Sequence, residues 1–319
     1  RINKPAAGIA LVLAAMLSMS INDALVKSLS GDYPLHQVIF TRALIGLALC
    51  LVFVQFEGGW SILKPRQPGL HVFRGLLIVI ANSSFFAAIA VVPLGEATAI
   101  FFAAPLLITL FSVPVLGERI GPVRLAAVLT GFAGVLIMQR PWADAGTLDV
   151  SRIVLLLPLL AASAYALQQV ITRRLGLDSK ASAMAVYIQF IFLVVSILVG
   201  AVAGDGRFAD GLENPSLLFL LRPWIWPETL DIWRFLALGT NIAIVSYCIS
   251  AAYRMTDAGI LAPFEYAGLM MAVFWGWVIW GEIPGPEVAA GIVLIVAGGL
   301  AVYFRERHLE ARLKREESA

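Results

Sequence analysis

Ten runs of roughly 20 apolar residues follow one another along this 319-residue chain, and this pattern limits its fold more than any other feature. A helix of about 20 mostly apolar residues is long enough to cross the hydrocarbon core of a membrane. Because lipid offers the backbone no hydrogen bonds, each span must satisfy its own peptide groups, which predicts an all-α integral membrane protein. The ten predicted spans cover residues 6–27, 34–56, 70–91, 94–116, 122–139, 152–172, 181–203, 232–253, 259–281 and 286–304.

The composition argues against a water-soluble protein. Apolar residues make up 60% of the chain and charged residues 14%, whereas soluble proteins average roughly 45–50% and 25%. A soluble chain of this length could not hide so much apolar surface, so its main solvent should be lipid. The two cysteines, Cys50 and Cys248, both lie in apolar runs, which argues against a disulfide framework. We expect the first apolar run to be retained as a span and not removed as a signal peptide.

The placement of Lys and Arg predicts the orientation of the chain. With both termini in the cytoplasm, 16 of the 23 basic residues lie on the cytoplasmic side, six lie outside and Arg42 lies within a span. This bias agrees with the positive-inside rule. The basic residues are spread over separate loops, so the net charge of +2 gives no support for nucleic-acid binding. Residues 305–319 are predicted to form a charged cytoplasmic tail.

The second half of the chain repeats the first. The stretch "LGERIGPVRLAAVLTGFAGVL" (116–136) aligns without a gap with "WGEIPGPEVAAGIVLIVAGGL" (280–300). Five spans in each half is an odd number, so the second copy must be inverted in the membrane. The alternative is a chance match of Gly, Ala and Leu, but the Gly-Glu and Gly-Pro pairs recur at fixed offsets at helix boundaries. We therefore predict two inverted five-helix repeats, residues 1–145 and 146–304, which is an architecture of alternating-access transporters.

On these repeat endings, and on "DALVKSL" followed by "FTR" in the first two spans, the sequence resembles the drug/metabolite transporter superfamily in its ten-helix EamA-type branch. The resemblance covers essentially the whole chain. It implies a central cavity lined chiefly by spans 1, 3, 4, 6, 8 and 9, with spans 5 and 10 more peripheral. Similar proteins include amino-acid exporters of the YddG type, and riboflavin and S-adenosylmethionine carriers belong to the same branch. The implied location is a bacterial-type cytoplasmic (inner) membrane.

Four ionisable residues within the spans are the main candidates for function, because charge in a bilayer is costly. Asp23 and Lys27 lie four residues apart on one helix face, and they either neutralise each other or serve a substrate or proton. Arg42 lies roughly 12 Å into the second span. It should face the interior near Asp23, as a clamp between helices, a substrate contact or a gating ion pair. Glu265 is either a substrate or proton site or a neutral hydrogen-bonding group.

Neutral polar residues on the presumed cavity helices extend this set. Side chains of this kind also join neighbouring helices, so each has a purely structural alternative. Two prolines mark expected hinges, because proline frees a carbonyl and bends a helix. The polar candidates are Asn82, Gln168, Gln169, Asn241, Tyr247 and Tyr266, and the hinge candidates are Pro105 and Pro263.

The sequence predicts a carrier and not an enzyme. Its three histidines are far apart, and no HExxH, CxxC, GxSxG, P-loop or GxGxxG context is present. A channel would favour repeated rings or filters, and a scaffold would not explain Arg42 and Glu265. No ATPase motif is visible, so transport should be facilitated or coupled to a proton or ion gradient. We expect no cofactor or metal, and a monomer or homodimer.

A cavity with both signs of charge, amides and aromatic rings suits a small zwitterion with an apolar side chain. The resulting hypothesis is amino-acid export through a central cavity by alternating access. The alternative within carriers is uptake of riboflavin or S-adenosylmethionine. The alternatives in other classes are a membrane scaffold or a membrane enzyme.

Overall fold

The computed structural model describes residues 5–64, 67–117, 121–140, 142, 151–175, 181–255 and 264–317. Throughout these ranges the regular structure is helical, as the sequence predicts for a chain in lipid. A 3₁₀ helix covers Gly59–Leu63. The α-helices are α1 (Pro5–Leu29), α2 (Leu35–Glu57), α3 (Pro68–Ile89), α4 (Leu94–Phe101), α5 (Ala104–Leu116), α6 (Pro122–Gln139), α7 (Arg152–Leu175), α8 (Ala181–Ala203), α9 (Pro215–Leu221), α10 (Thr229–Met255), α11 (Ala267–Trp280) and α12 (Pro286–Glu317).

Six helical stretches are long and apolar enough to cross a membrane, judged by length and composition. They correspond to predicted spans 1, 2, 3, 4, 6 and 7, and they are Ala6–Leu29, Leu35–Phe56, Pro68–Ile89, Leu94–Val115, Arg152–Ile171 and Ala185–Ala203. Three shorter apolar helices cover Leu125–Gln139, Ala267–Trp280 and Pro286–Ala301. Large apolar side chains such as Leu129, Leu198 and Val293 are more than half exposed. An exposed apolar surface of this kind is expected where the solvent is lipid.

The fourth predicted span is broken in two. Helix α4 ends at Phe101 and α5 begins at Ala104, so Pro105 stands in the first turn of α5. Within a continuous helix the Pro105 ring would clash with the carbonyl of Phe101, four residues earlier. The break therefore lies where the sequence predicts a hinge. The second predicted hinge, Pro263, lies outside the described residues.

Helices α6 and α12 run antiparallel and touch through their backbones. A Cβ atom on Gly134 would lie 2.8 Å from the carbonyl oxygen of Gly291, and a Cβ atom on Gly298 would lie 2.7 Å from that of Ala127. Glycine at these positions is what allows so close an approach between membrane helices. In the gapless alignment Gly134 matches Gly298 and Ala127 matches Gly291, so the two contacts are equivalent under exchange of the two helices.

The other helix contacts also occur in matched pairs. Helix α1 packs against α10 and α11, while α7, at the start of the second half, packs against α3 and against α4 and α5. Helix α2 packs against α8, α2 against α10, and α3 against α8. The largest apolar core cluster includes buried side chains near the ends of α1 and α3 and the starts of α7 and α10, among them Leu29, Ile89, Leu155 and Phe235.

The polar segment 204–231, which we call the cap, packs over the turn between α1 and α2. The Tyr33 hydroxyl donates to Asp231 at 2.7 Å and accepts from the Glu228 backbone at 3.1 Å. Gln37 donates to the Ile225 carbonyl at 2.6 Å and accepts from its N–H at 3.3 Å. The polar composition of this segment is typical of a loop outside the membrane, but residue type alone does not indicate its reciprocal hydrogen bonds to α2.

The two tryptophans of the cap differ in their surroundings. Trp224 stacks on His36, with ring centroids 5.9 Å apart, and contacts Phe40. Trp226 is 90% exposed. Tryptophan beside an apolar span is typical of an anchor at the membrane–water interface. The exposure of Trp226 suits that role, and Trp224, which is 39% exposed, also packs the cap against α2.

Candidate functional site

Arg42 lies in the interior of the helix bundle, as its depth in the second span predicts. Its side chain is 3% exposed. The guanidinium carbon lies 5.2 Å from the centre of the Phe86 ring on α3 and 5.4 Å from that of Phe192 on α8. Its Nε atom is buried and has no hydrogen-bond partner in the described structure. Aromatic rings on both sides stabilise the cation partially, but they leave its hydrogen-bonding capacity unused.

Asp23 is the carboxylate that faces Arg42. It interacts electrostatically with the guanidinium and accepts a hydrogen bond of 3.3 Å from the Asn22 side chain. Among the described ion pairs there is none between Asp23 and Arg42. The Asn22 amide oxygen is also buried, and no described residue gives it a hydrogen bond. The direct ion pair that a clamp or a gate would show is therefore not among the described contacts, and the two opposite charges interact without touching.

Lys27 does not pair with Asp23, which corrects one of the two interpretations of their four-residue spacing. Its ammonium lies 2.5 Å from Glu282, donates to the Val92 carbonyl at 3.0 Å, and sits 5.0 Å from the centre of the Trp280 ring. The second carboxylate oxygen of Glu282 accepts from the Leu94 N–H at 2.9 Å. Lys27 therefore binds the turn before α12 instead of joining the group around Arg42.

A second polar cluster lies beside the break between α4 and α5. Gln169 donates to the Tyr165 hydroxyl at 2.7 Å, and Tyr165 interacts electrostatically with Glu265. The Tyr266 ring lies 5.2 Å from Phe102, within the break. The structure thus brings together three residues that the sequence proposed separately on two spans, Gln169, Glu265 and Tyr266. Gln168, next to them, is 3% exposed.

A row of aromatic rings connects the two clusters. It starts at Phe86, which contacts Arg42, and continues through Phe85 and Phe101 to Tyr165. Successive ring centroids are 5.9, 5.4 and 5.5 Å apart. Spacings of this kind are typical of packed aromatic pairs. The row forms a continuous line of packed aromatic side chains from Arg42 to the helix break.

The remaining candidates are less informative. The Asn82 side chain donates to the Ile78 carbonyl of its own helix at 3.1 Å, which satisfies it locally. Asn241 is half-buried on α10. The Tyr247 side chain and Pro263 lie outside the described residues. Within the described ranges, no group of three or more His, Cys, Asp or Glu residues could hold a metal ion.

A cavity of about 260 Å³, which we call the end cavity, lies beside the Lys27–Glu282 pair and away from Arg42. Its lining includes Glu96 at the start of α4 and Arg140 at the end of α6, and both were missed as sites. Glu96 could have been found, because it stands inside a predicted span, where a carboxylate is a functional candidate. Arg140 carried no such signal, since it looked like an ordinary loop cation.

Comparison with known proteins gives one consistent picture. Residues 6–140 match the EamA-like transporter family. The chain is 26% identical to an S-adenosylmethionine uptake transporter of Rickettsia prowazekii (strain Madrid E), over 94% of this chain and 93% of that protein. It is 28% identical to a riboflavin transporter of Vibrio cholerae, over 98% and 97%. It is also 28% identical to a pseudopaline exporter of Pseudomonas aeruginosa, over 92% and 95%.

A solved crystal structure supports the fold separately. It superposes with a TM-score of 0.62 and 23% sequence identity, covering 96% of this chain and 99% of the other. The similarities therefore extend over nearly the full length of each protein and confirm the recognition made from the repeat endings. The EamA-like match over residues 6–140, together with relatives of nearly the same length that are named as S-adenosylmethionine and riboflavin transporters, supports a membrane transporter of the drug/metabolite transporter superfamily.

Proposed function

We propose that this protein is a secondary carrier that exports a small zwitterion with an apolar or aromatic side chain, of the amino-acid type. The observation that carries the proposal is the arrangement of Asp23 and Arg42, two opposite charges inside the bundle that interact without a direct ion pair. Burying a charge without a full partner costs several kcal/mol. A solute whose carboxylate binds Arg42 and whose ammonium binds Asp23 would supply both missing partners.

The aromatic row supports an apolar side chain on that solute. Phe86 and Phe85 begin beside Arg42 and lead to Phe101 and Tyr165. A side chain held by its two charged groups at Asp23 and Arg42 would extend along these rings. Aromatic surface favours apolar and aromatic groups over strongly hydrated ones. The Gln169–Tyr165–Glu265 cluster would then form the polar far end of the path.

The inverted repeat supports alternating access. An isologous contact is one in which residue i touches j while the equivalent of j touches the equivalent of i. The Gly134–Gly291 and Gly298–Ala127 contacts have this relation, and so do the packing of α1 on α10 and of α7 on α3. We therefore propose residues 1–145 and 146–304 as two inverted five-helix units with both termini cytoplasmic.

In that arrangement the units rock about the site between them. The break at Pro105 and the predicted bend at Pro263 are the proposed hinges, one in each unit. Glu265 stands near the second hinge and is the proposed proton site. The pathway would also include Asn82, Asn241 and Tyr247. Lys27, in contrast, is assigned to holding one end of the bundle, because its ammonium is bound by Glu282.

A second candidate is uptake of an amino-acid derivative such as S-adenosylmethionine. The similarity over nearly the whole length to a named S-adenosylmethionine uptake transporter favours it. That molecule carries the same ammonium and carboxylate pair on one carbon, so Asp23 and Arg42 would bind it in the same way. Riboflavin lacks this pair and would not need the two charges together.

The test is transport by purified protein in liposomes. The panel contains labelled L-phenylalanine, L-methionine, L-leucine, S-adenosylmethionine and riboflavin, each loaded inside in one set and supplied outside in another. We expect flux of at least one zwitterion, lost in Arg42→Gln and Asp23→Asn and kept in the exposed control Arg207→Gln. Riboflavin flux alone, or zwitterion flux unchanged in both variants, would overturn the proposal.

A further inference from the structure

The end cavity contains a second pair of opposite charges that do not touch. Glu96 is 7% exposed and is among the residues that line the cavity. It interacts electrostatically with Arg140, and the described ion pairs do not join the two. No described hydrogen bond reaches the Glu96 carboxylate. A carboxylate of a mostly buried residue that lines a cavity and has no described partner is open to a ligand bound in that cavity.

Arg140, which also lines the end cavity, provides the opposite charge. Its Nε atom is buried and lacks a hydrogen-bond partner in the described structure. Its backbone has φ 45° and ψ 57°, a left-handed conformation that a non-glycine residue adopts at a cost. The preceding residue, Gln139, donates to the Leu155 carbonyl at 2.6 Å and so ties the end of α6 to α7. Among the described residues, Arg140 forms no ion pair.

Glu282 lines the same cavity, but both of its carboxylate oxygens already have partners within the protein. One of its carboxylate oxygens is bound by Lys27 and the other by the Leu94 N–H. The two groups left for a ligand are therefore one carboxylate, Glu96, and one guanidinium, Arg140. A volume of about 260 Å³ is slightly below the roughly 300–1,000 Å³ of drug-sized sites, so the ligand is small. Apolar side chains, among them Leu155 and Val288, complete the wall.

We infer that the end cavity is a second binding site for a small zwitterion, in which Glu96 binds the ammonium and Arg140 binds the carboxylate. This inference rests on the proposed function, because it takes the transported solute as the ligand. The site lies at the end of the bundle where Lys27 meets Glu282, so it would hold a solute on its way to or from the Asp23–Arg42 site. The chain would then bind two solute molecules.

Binding stoichiometry tests the inference. Protein in lipid nanodiscs, which expose both membrane faces, is titrated with labelled L-phenylalanine, L-methionine or S-adenosylmethionine in equilibrium dialysis. We expect two molecules per chain for the wild type. Glu96→Gln and Arg140→Gln should each bind one, and Arg42→Gln should also bind one. The controls Glu287→Gln and Arg207→Gln, both at exposed positions, should keep two.

The outcomes separate the two proposals. One molecule per wild-type chain, unchanged in Glu96→Gln and Arg140→Gln and lost in Arg42→Gln, would overturn the second site and leave the proposed function standing. No binding to the wild type would overturn both. Circular dichroism and gel filtration check that the variants fold. The conservative variant Glu96→Asp, which keeps the charge, should retain two molecules with weaker binding at one of them.

Competition with incomplete analogues adds a measurement that distinguishes ligand binding by Glu96 and Arg140 from a purely structural role of these residues. Phenethylamine has the ammonium without the carboxylate, and phenylpropionate has the carboxylate without the ammonium. If Glu96 and Arg140 each bind one group, neither analogue should displace labelled L-phenylalanine from the end cavity in Arg42→Gln at concentrations where unlabelled L-phenylalanine does. Displacement by both analogues with equal strength would show an unspecific apolar pocket and overturn the inference.

Discussion

The ammonium of Lys27, at the end of α1, lies 2.5 Å from the carboxylate of Glu282, in the turn before α12. The two residues are 255 positions apart in the chain. Through Lys27 and the Leu94 N–H, Glu282 joins α1, the start of α4 and the α11–α12 turn. The Lys27 side chain is 7% exposed and that of Glu282 is 20% exposed, so the pair is screened from solvent on most sides.

Removing one partner of this pair should destabilise the protein. Lys27→Met leaves the Glu282 charge largely buried, and Glu282→Gln does the same to Lys27, each at a cost of about 3 kcal/mol in the free energy of unfolding. The double variant should lose less than the sum of the two single losses. Denaturant unfolding in detergent micelles measures all four proteins. Additive losses would show that the two charges are not coupled.

The contact between α6 and α12 predicts two equal effects in opposite halves of the chain. A Cβ atom at Gly134 or at Gly298 would meet a backbone carbonyl oxygen at under 3 Å, so alanine at either position forces the helices apart. We expect Gly134→Ala and Gly298→Ala each to lower the free energy of unfolding by about 1–3 kcal/mol. The measurement is the midpoint of thermal unfolding, which should fall in both variants.

The matched control is Gly69→Ala in the first turn of α3, where nothing lies within 4 Å of the added Cβ atom. It should be neutral or slightly stabilising, because alanine reduces the freedom of the unfolded chain. A strong difference between the stability losses of Gly134→Ala and Gly298→Ala would contradict the energetic equivalence of the two contacts.

The Tyr33–Asp231 hydrogen bond makes the cap sensitive to alkaline pH. Loss of solvent raises the pKa of the Tyr33 hydroxyl, and its hydrogen bond to Asp231 raises that pKa further. A raised pKa in the folded state means that folding favours the protonated form. This contribution is complete below the ordinary value of 10.0 and is lost as the pH rises through the folded pKa.

Tyr33→Phe should therefore cost about 1–2 kcal/mol at pH 7, since Glu228 and Asp231 each lose a partner. Its unfolding free energy should fall less steeply above about pH 10 than that of the wild type. The measurement is denaturant unfolding of both proteins from pH 7 to pH 11. Parallel curves over that range would remove Tyr33 as the alkaline-sensitive group.

Glu265 should couple transport to protons. Its neighbours, Tyr165 and Tyr266, remain protonated near neutral pH by their chemistry, which leaves Glu265 as the group of this cluster that can take up and release a proton. In proteoliposomes the wild-type flux should depend on an imposed pH gradient. The flux through Glu265→Gln should no longer depend on that gradient. Gln169→Leu is the control, because it alters the same cluster without removing a titratable group. Unchanged gradient dependence in Glu265→Gln would exclude Glu265 from the mechanism.

Local composition was enough to predict the helical class and the solvent. Apolar runs of span length fix both, because a backbone in lipid has few ways to satisfy its hydrogen bonds. The interior position of Arg42 followed from the same reasoning, since a guanidinium at that depth cannot face acyl chains. The break near Pro105 followed from covalent geometry, which acts over four residues.

Partner choice between distant segments was decided only by the tertiary structure. From the sequence, Lys27 had a carboxylate one turn away at Asp23, yet it binds Glu282 from the other half of the chain. Glu96 and Arg140 meet in one cavity for the same reason: the packing of α4, α6 and α12 places them there. Electrostatic and hydrogen-bond energies depend on distances of a few ångströms, and for residues far apart in sequence those distances are set by how whole helices pack, which residue type and spacing do not encode.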